Sequence, residues 1–115
     1  MPAWEDVREL ALRFPGTEES TSYGTPAVRA RSSLLARLRD DGATLVLRVD
    51  YEERLALVHE QPEIFTVTRH YEDYPFVLVR LDAVDREELA ELIEEAWRDV
   101  APVRVVSAYD EARAT

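Results

Sequence analysis

Arginine side chains at alternate positions of short apolar segments are the residues best suited to binding chemistry. All 14 basic residues of the chain are arginines. A guanidinium binds phosphate or carboxylate through two parallel hydrogen bonds. The alternation predicts an anion-binding sheet face, with a solvated face covered by weak ion pairs as the alternative. Six arginines fall on that face, opposite the apolar residues: Arg29, Arg31, Arg37, Arg39, Arg48 and Arg80.

A short aromatic loop is the second candidate site. His70, Tyr71 and Tyr74 lie between two segments that have the composition of strands. Aromatic rings in a loop either contact a partner or fasten the loop to the core. We therefore treat these three residues as candidate partner contacts and keep the packing role as the alternative.

The residue pattern gives little support to catalysis or metal binding. His59 and His70 are the only histidines, and their separation does not match a metal-ligand motif. The chain has no cysteine, no nucleophile elbow and no glycine-rich phosphate loop. Glutamates of the last long helix offer oxygen ligands, although such helices are commonly Glu-rich on their solvent face. We expect no catalytic residue, metal or cofactor. The glutamates are Glu87, Glu88, Glu91, Glu94 and Glu95.

Three segments have the apolar spacing of helices, and they must help to position these side chains. The helices are predicted at Trp4–Phe14, at Tyr51–Glu60 with Asp50 as its N-cap, and at Asp85–Val100. Asp85 and Glu88 resemble a capping box. We expect residues 102–109 to dock on the body and the last six residues to fray.

Short apolar segments with turn residues between them predict an antiparallel sheet. Asp41 and Gly42 together are a strong hairpin signal. Alternation places Leu34, Ala36 and Leu38 opposite Arg37 and Arg39. With helices covering one face, we predict a two-layer α+β fold in a single domain over residues 1–115. The predicted strands are Ala27–Arg31, Leu34–Arg39, Thr44–Val49, Ile64–Thr68 and Phe76–Leu81, with a loop at His70–Pro75.

Composition limits the function classes further. The 115 residues carry a net charge of −10, which argues against general affinity for nucleic acid. The charge is uneven: residues 27–49 hold five arginines against two aspartates, whereas residues 82–99 hold eight acids against two arginines. The apolar runs are too short to cross a bilayer, and the first residues do not have the pattern of a secretory signal. We expect a cytoplasmic protein, a monomer or weak dimer, without membrane contact.

The order and spacing of several short motifs resemble the MmcQ/YjbR family of small bacterial proteins over nearly the whole chain. The resemblance implies a CyaY-like, frataxin-like α+β fold and carries the family's DNA-binding label. At Ala30–Ser33 this chain lacks the Gly-Lys pair usual in the family. The motifs are Trp4–Val7, Phe14–Gly16, Tyr23–Ala27, Leu35–Leu38, Pro62–Phe65, His70–Tyr71, Tyr74–Pro75, Val77–Leu81 and Glu94–Trp97.

Two hypotheses follow. The first is a non-catalytic module that binds nucleic acid, DNA by the family label, through the arginine-bearing sheet face. The second is a protein-interaction domain that uses the loop Tyr71–Pro75 or the acidic C-terminal helix and does not bind nucleic acid. Phosphate binding weakens steeply with salt, whereas a contact made by the loop depends little on salt, so ionic strength distinguishes the two.

Overall fold

Short strands with apolar residues on one face pair into a single antiparallel sheet in the computed structural model, which describes residues 1–114. The sheet order is β1-β2-β3-β4-β6-β5. With its helices, the sheet forms the two-layer α+β fold predicted from the sequence. The strands are β1 (Thr17–Ser22), β2 (Thr25–Ala30), β3 (Ser33–Leu38), β4 (Thr44–Arg48), β5 (Phe65–Thr66) and β6 (Phe76–Arg80).

The helices bury their apolar residues in one core with the inner face of the sheet. The N-cap Asp50 accepts a hydrogen bond from the backbone N–H of Glu53 at 2.8 Å, as predicted. Asp85 occupies the N-cap of the long helix, but its side chain makes no capping bond. No helix in residues 1–114 has the length and apolar character to cross a bilayer. The helices are α1 (Trp4–Leu12), α2 (Tyr51–Glu60), α3 (Arg86–Val100) and α4 (Val103–Ala114), with a 3₁₀ turn at Arg69–Tyr71.

Trp97 is the anchor of the helical layer. Its side chain is completely buried, and its indole N–H donates to the carbonyl oxygen of Pro15 at 2.9 Å. The ring stacks on Phe14 with centroids 4.9 Å apart and meets Tyr109 edge-on at 5.0 Å. Because Phe14 follows α1 and Tyr109 lies on α4, this cluster joins three helical segments.

The C-terminal segment is more ordered than its sequence suggests. The docking predicted for residues 102–109 takes the form of helix α4, which continues through Ala114. The expected fraying is therefore wrong for residues 110–114, and Thr115 lies outside the described residues. Arg98 bonds Glu94 and Asp110, each at 2.8 Å, and these carboxylates raise the pKa of Arg98. The pairing adds a polar tie between α3 and α4.

Strand β1 was missed by the sequence analysis. Its residues are polar and none of their side chains is fully buried, so no apolar alternation marks it. It pairs with β2 across a tight turn in which Tyr23 and Gly24 both have positive φ, at 53° and 79°. Tyr23 and Gly24 therefore form the hairpin turn that joins the two strands.

A β-bulge changes the predicted facing of β3. Val28 pairs with Ala36 and Arg29 pairs with Leu34, which leaves Leu35 without a partner. Leu35 and Ala36 both join the helix-side core, whereas Leu34 packs on the opposite face. The prediction that Leu34 shares a face with Ala36 and Leu38 is wrong, because one inserted residue reverses the alternation.

The bounds of all five predicted strands differ from those observed by at least one residue, most clearly at β5 and at the end of β2. Strand β5 has two residues instead of the five predicted at Ile64–Thr68. Strand β2 ends at Ala30, so Arg31 lies in the β2–β3 turn with φ 59°. The turn takes Arg31 out of the alternation that the sequence predicted for it. The loop predicted after β5 contains the 3₁₀ turn Arg69–Tyr71.

Replacing Trp97 with phenylalanine should lower the free energy of unfolding by about 2 kcal/mol. The change removes one buried hydrogen bond and part of the aromatic packing. Urea denaturation followed by circular dichroism measures this effect. Trp4→Phe is the matched control, because Trp4 is only partly buried and should lose less than about 1 kcal/mol. Equal losses in the two variants would contradict the role assigned to Trp97.

Candidate binding cleft

Three turns converge on the sheet face opposite the helices and enclose a cleft of about 510 Å³. The β1–β2 turn, the end of β3 with the β3–β4 turn, and the 3₁₀ turn each contribute side chains. We call this site the open-face cleft. Its lining residues are Tyr23, Arg37, Arg39, Asp40, Asp41, His70 and Tyr71. It therefore joins two candidate sites that the sequence analysis treated separately.

Arg37 forms the inner wall of the cleft. Its residue is only 7% exposed, although the alternation correctly places it on the face opposite Ala36. Nε donates to the carbonyl oxygen of Ser22 at 3.3 Å, and Nη1 donates to the hydroxyl of Tyr71 at 3.2 Å. The guanidinium carbon lies 4.9 Å from the centre of the Tyr23 ring. Arg37 thus connects the β1–β2 turn with the 3₁₀ turn.

The segment that carries Tyr71 is held in place by Arg54, a residue that the sequence analysis did not single out. Nη1 of Arg54 donates to the carbonyl oxygens of Tyr71 at 3.0 Å, Tyr74 at 2.8 Å and Phe76 at 3.2 Å. Nη2 donates to the carbonyl oxygen of Glu72 at 2.9 Å. One guanidinium therefore donates to four carbonyl groups of this segment, two of which, those of Tyr71 and Tyr74, also accept from backbone N–H groups. No sequence pattern marked Arg54, since its partners are backbone atoms about 20 residues away.

The aromatic loop packs on the sheet through one ring and exposes the other two. Tyr71 is buried and packs with Val46, Phe76 and Leu78 in a small second core on this face. His70 is exposed and meets the Tyr71 ring edge-on at 4.6 Å. Tyr74, 55% exposed, lies 6.4 Å from His70 between ring centroids. Tyr71 therefore fastens the loop, while His70 and Tyr74 present free ring surface.

Acidic side chains limit the positive charge of the cleft. Asp41 accepts hydrogen bonds from the backbone N–H groups of Ala43 and Thr44, both at 2.9 Å. These bonds, led by that from Ala43, lower the pKa of Asp41 and keep it ionised. Asp40 is exposed on the same turn, so two aspartates balance Arg37 and Arg39. The cleft is close to neutral.

Of the two arginines in the cleft, Arg39 has fewer hydrogen bonds from its side chain. Its side chain is half-buried and makes no hydrogen bond or ion pair within residues 1–114. Its backbone N–H pairs with the carbonyl oxygen of Thr44 at 2.9 Å, which fixes its place at the mouth of the β3–β4 hairpin. A ligand in the cleft would meet Arg39 without breaking an existing contact.

The other four predicted arginines lie outside the cleft. Nε of Arg48 donates to the carbonyl oxygen of Leu34 at 2.7 Å, and its guanidinium lies over the Phe76 ring. Arg80 is exposed but pairs with Asp82 at 3.4 Å. Arg29 donates to the carbonyl oxygen of Ser32. Arg31 lies beside Arg104 and the α3–α4 junction, away from the cleft. The six arginines therefore do not form one continuous patch.

The acidic side of α3 forms a separate charged surface at the N-terminus of α2. Burial raises the pKa of Glu95, and repulsion from Glu53, Asp99, Asp50 and Glu91 adds to that shift. Burial also raises the pKa of Asp99. No group of three or more potential ligand side chains in the described part of the chain converges on a metal position. Like charges crowd here at a cost to stability.

The architecture defines a class of two-layer α+β protein in which helices cover one face of an open antiparallel sheet and a cleft opens on the other. The chain belongs to the YjbR family, whose model matches residues 12–99. The resemblance seen in the sequence motifs is confirmed by this match.

Relatives cover almost the whole chain. Uncharacterised proteins of Mycobacterium bovis and Mycobacterium tuberculosis are 30% identical to it, over 95% of this chain and 96% of theirs. A crystal structure of the Deinococcus radiodurans protein DR2400, with a DUF419 domain, matches with a TM-score of 0.72 and 24% identity. That match covers 84% of this chain and 77% of the other, and it supports the fold.

Replacing Arg54 with methionine should loosen the cleft wall. The variant keeps the length of the side chain but removes the charged donor from four carbonyl groups, of which those of Tyr71 and Tyr74 keep a backbone N–H donor. Amide hydrogen exchange in residues 70–76 should accelerate by about tenfold or more, as expected when hydrogen bonds to a charged group are lost. Arg69→Met, an exposed change in the same region, is the control. Unchanged exchange in Arg54→Met would contradict the tethering role.

Replacing Glu95 with glutamine should stabilise the protein at neutral pH. Because folding raises the pKa of Glu95, its charged form costs stability above the folded-state pKa. That cost disappears as pH falls through the folded-state pKa toward the unfolded value. The urea midpoint of Glu95→Gln should therefore exceed that of the wild type at pH 7.5, and the difference should vanish near pH ~4. Glu63→Gln, which removes the same charge from an exposed turn, is the matched control.

Proposed function

We propose that this protein is a non-catalytic binding module that holds a segment of a partner protein in the open-face cleft. The observation that supports this most directly is the combination of exposed aromatic rings with a nearly neutral charge. Tyr23, which lines the cleft, is 77% exposed, and Tyr74, which lies beside the lining residue His70, is 55% exposed. Rigid aromatic rings are enriched at protein interfaces because they bury a large area at little entropic cost.

The hydrogen bonds that the arginines already make favour a protein partner over a polyanion. Arg37, Arg48 and Arg80 already donate to carbonyl, hydroxyl or carboxylate oxygens of the chain. A strand of nucleic acid places several phosphates on a protein and needs a matching number of available cations. Within the cleft the side chain of Arg39 makes no hydrogen bond in the described residues, and its charge already acts on the carboxylate of Asp41.

Nucleic acid is the second candidate, and one observation favours it. The cleft places Arg39 on the same surface as the exposed Tyr23 ring. Proteins that bind single strands on a sheet stack bases on aromatic rings and meet the backbone with arginine. In this form the DNA-binding hypothesis is reduced from six arginines to Arg37 and Arg39.

Peptides selected on the wild-type protein should depend on the cleft. A random peptide phage library is panned on the wild type, with counter-selection on the Tyr23→Ala/Tyr74→Ala variant. The selected peptides should bind that variant at least ~10-fold more weakly, as is typical when an aromatic contact at the centre of an interface is truncated. Leu55→Ala is the control, because it removes an exposed apolar side chain from α2, outside the cleft.

A labelled single-stranded oligonucleotide and a labelled duplex provide the comparison by fluorescence anisotropy. The proposal expects peptide affinity to fall much less between low and moderate salt than the affinity of a nucleic acid would, because few charges are neutralised, and it expects no cleft-dependent binding of either nucleic acid. Binding of nucleic acid that weakens steeply with salt and is lost in Arg37→Gln/Arg39→Gln would establish the second candidate instead. Selected peptides that bind both variants equally would contradict the protein-binding proposal.

A further inference from the structure

Folding buries the charge of Arg37 without a close counter-ion. The residue is 7% exposed, and the ion pair it makes within residues 1–114 joins Nη2 to Oδ1 of Asp40 at 3.9 Å. That distance is too long for a hydrogen bond, and the side chain of Asp40 is 88% exposed. A buried charge is costly unless it is paired and hydrogen-bonded. Arg37 therefore retains most of its attraction for an anionic group.

Arg37 also retains donors that can reach such a group. A guanidinium has five N–H groups, and within the described residues Arg37 donates one to Ser22 and one to Tyr71. Nη2 makes no hydrogen bond, yet no fully buried side-chain nitrogen or oxygen in residues 1–114 lacks a partner. Nη2 therefore keeps some accessible surface, and Arg37 is one of the residues that line the cleft.

The hydroxyl of Tyr71 supplies a second donor. It accepts the hydrogen bond from Nη1 of Arg37, and no acceptor for its own proton is found within residues 1–114. A phenol that accepts from a cation is a stronger donor, because neighbouring hydrogen bonds polarise one another. Arg37 and Tyr71 both line the cleft and are more than nine-tenths buried, so their positions are fixed by packing.

We propose that the open-face cleft binds a carboxylate of the partner peptide, held by Nη2 of Arg37 and the hydroxyl of Tyr71, with Arg39 nearby. This inference rests on the proposed function and names the group that the peptide presents. A planar carboxylate accepts from a guanidinium and a hydroxyl at once. Asp40 and Asp41 repel a ligand in proportion to its charge, so a singly charged carboxylate is favoured over a phosphate of nearly two charges.

Acetate tests the site directly. Titration at constant ionic strength, with chloride as the replaced anion, is followed by NMR at the Nε–Hε signals of Arg37 and Arg39. The Arg37 signal should shift saturably, and Tyr71→Phe should weaken acetate binding about tenfold while keeping the ring in its core. Asp40→Asn should strengthen binding, because it removes the competing carboxylate. Arg80→Gln is the control on the same sheet face and should have no effect.

Two results would overturn the carboxylate site: no saturable shift at Arg37, or a shift that Tyr71→Phe leaves unchanged. Tighter binding of inorganic phosphate than of acetate would also overturn it, in favour of a phosphate site. Melting curves for each variant show whether its fold is intact. Because Tyr71→Phe retains the ring, a loss of folding is not expected to obscure the result.

The selected peptides show which carboxylate is used. Each peptide is prepared with a free C-terminus, with a C-terminal amide, and as an amide in which any Asp or Glu is replaced by Asn or Gln. If affinity is lost on amidation, the cleft binds the C-terminal carboxylate. If affinity is lost only in the third form, the cleft binds the side-chain carboxylate of Asp or Glu. Equal affinity of all three forms would overturn this inference and leave the proposed function intact. Saturable acetate binding without cleft-dependent peptides would overturn the proposed function and leave the carboxylate site intact.

Discussion

The bonds from Arg54 to four carbonyl groups constrain much of what makes this sheet face a site. The segment from Tyr71 to Phe76 follows an irregular path, so most of its carbonyl groups depend on donors outside the regular ladders. One guanidinium on α2 donates to four of them, and the hydroxyl of Tyr51, also on α2, donates to that of Asp73. Once that segment is fixed, Tyr71 is placed beside Arg37, and Arg37 in turn reaches the β1–β2 turn. The wall of the cleft therefore depends on hydrogen bonds from one side chain to backbone carbonyl groups.

Charge in this protein is separated between the two sides of the sheet. The helix side carries the crowded acids around Glu95 and Asp99, where burial and repulsion raise the pKa of both groups. The opposite side balances two arginines with two aspartates in the cleft. An approaching ligand with negative charge is therefore repelled less at the open face than at this acidic surface. This separation favours recognition by a few directed contacts over general attraction of a polyanion.

Membership of the YjbR family places these features in a common fold but does not specify their use. The bulge in β3 and the turn at Tyr23 both position cleft residues, and each lies within the matched range 12–99. Helix α4 lies beyond that range and is joined to the body by Tyr109 and by the pairing of Arg98 with Asp110. The residues that line the cleft consequently all lie in the part of the chain that the family model matches.

By itself, the sequence determined the fold class and the elements with strong apolar periodicity. Helix α3 and strand β6 are found where their patterns place them, because burial of an apolar stripe is a local property of the sequence. It also placed Arg37 on the outer face, since alternation in the second half of β3 is regular. Polar strand β1 and helix α4, which has no fully buried residue, gave no comparable signal.

The tertiary structure alone decided which candidate residues act together. The bulge at Leu35 reversed the facing of Leu34, and the turn after β2 removed Arg31 from the face. Contacts between distant positions buried Arg37 against Tyr71 and joined Arg54 to the loop. Alternation specifies the side of a strand on which a residue lies. It does not specify whether the charge there is already bonded, because that depends on backbone atoms brought close only by folding.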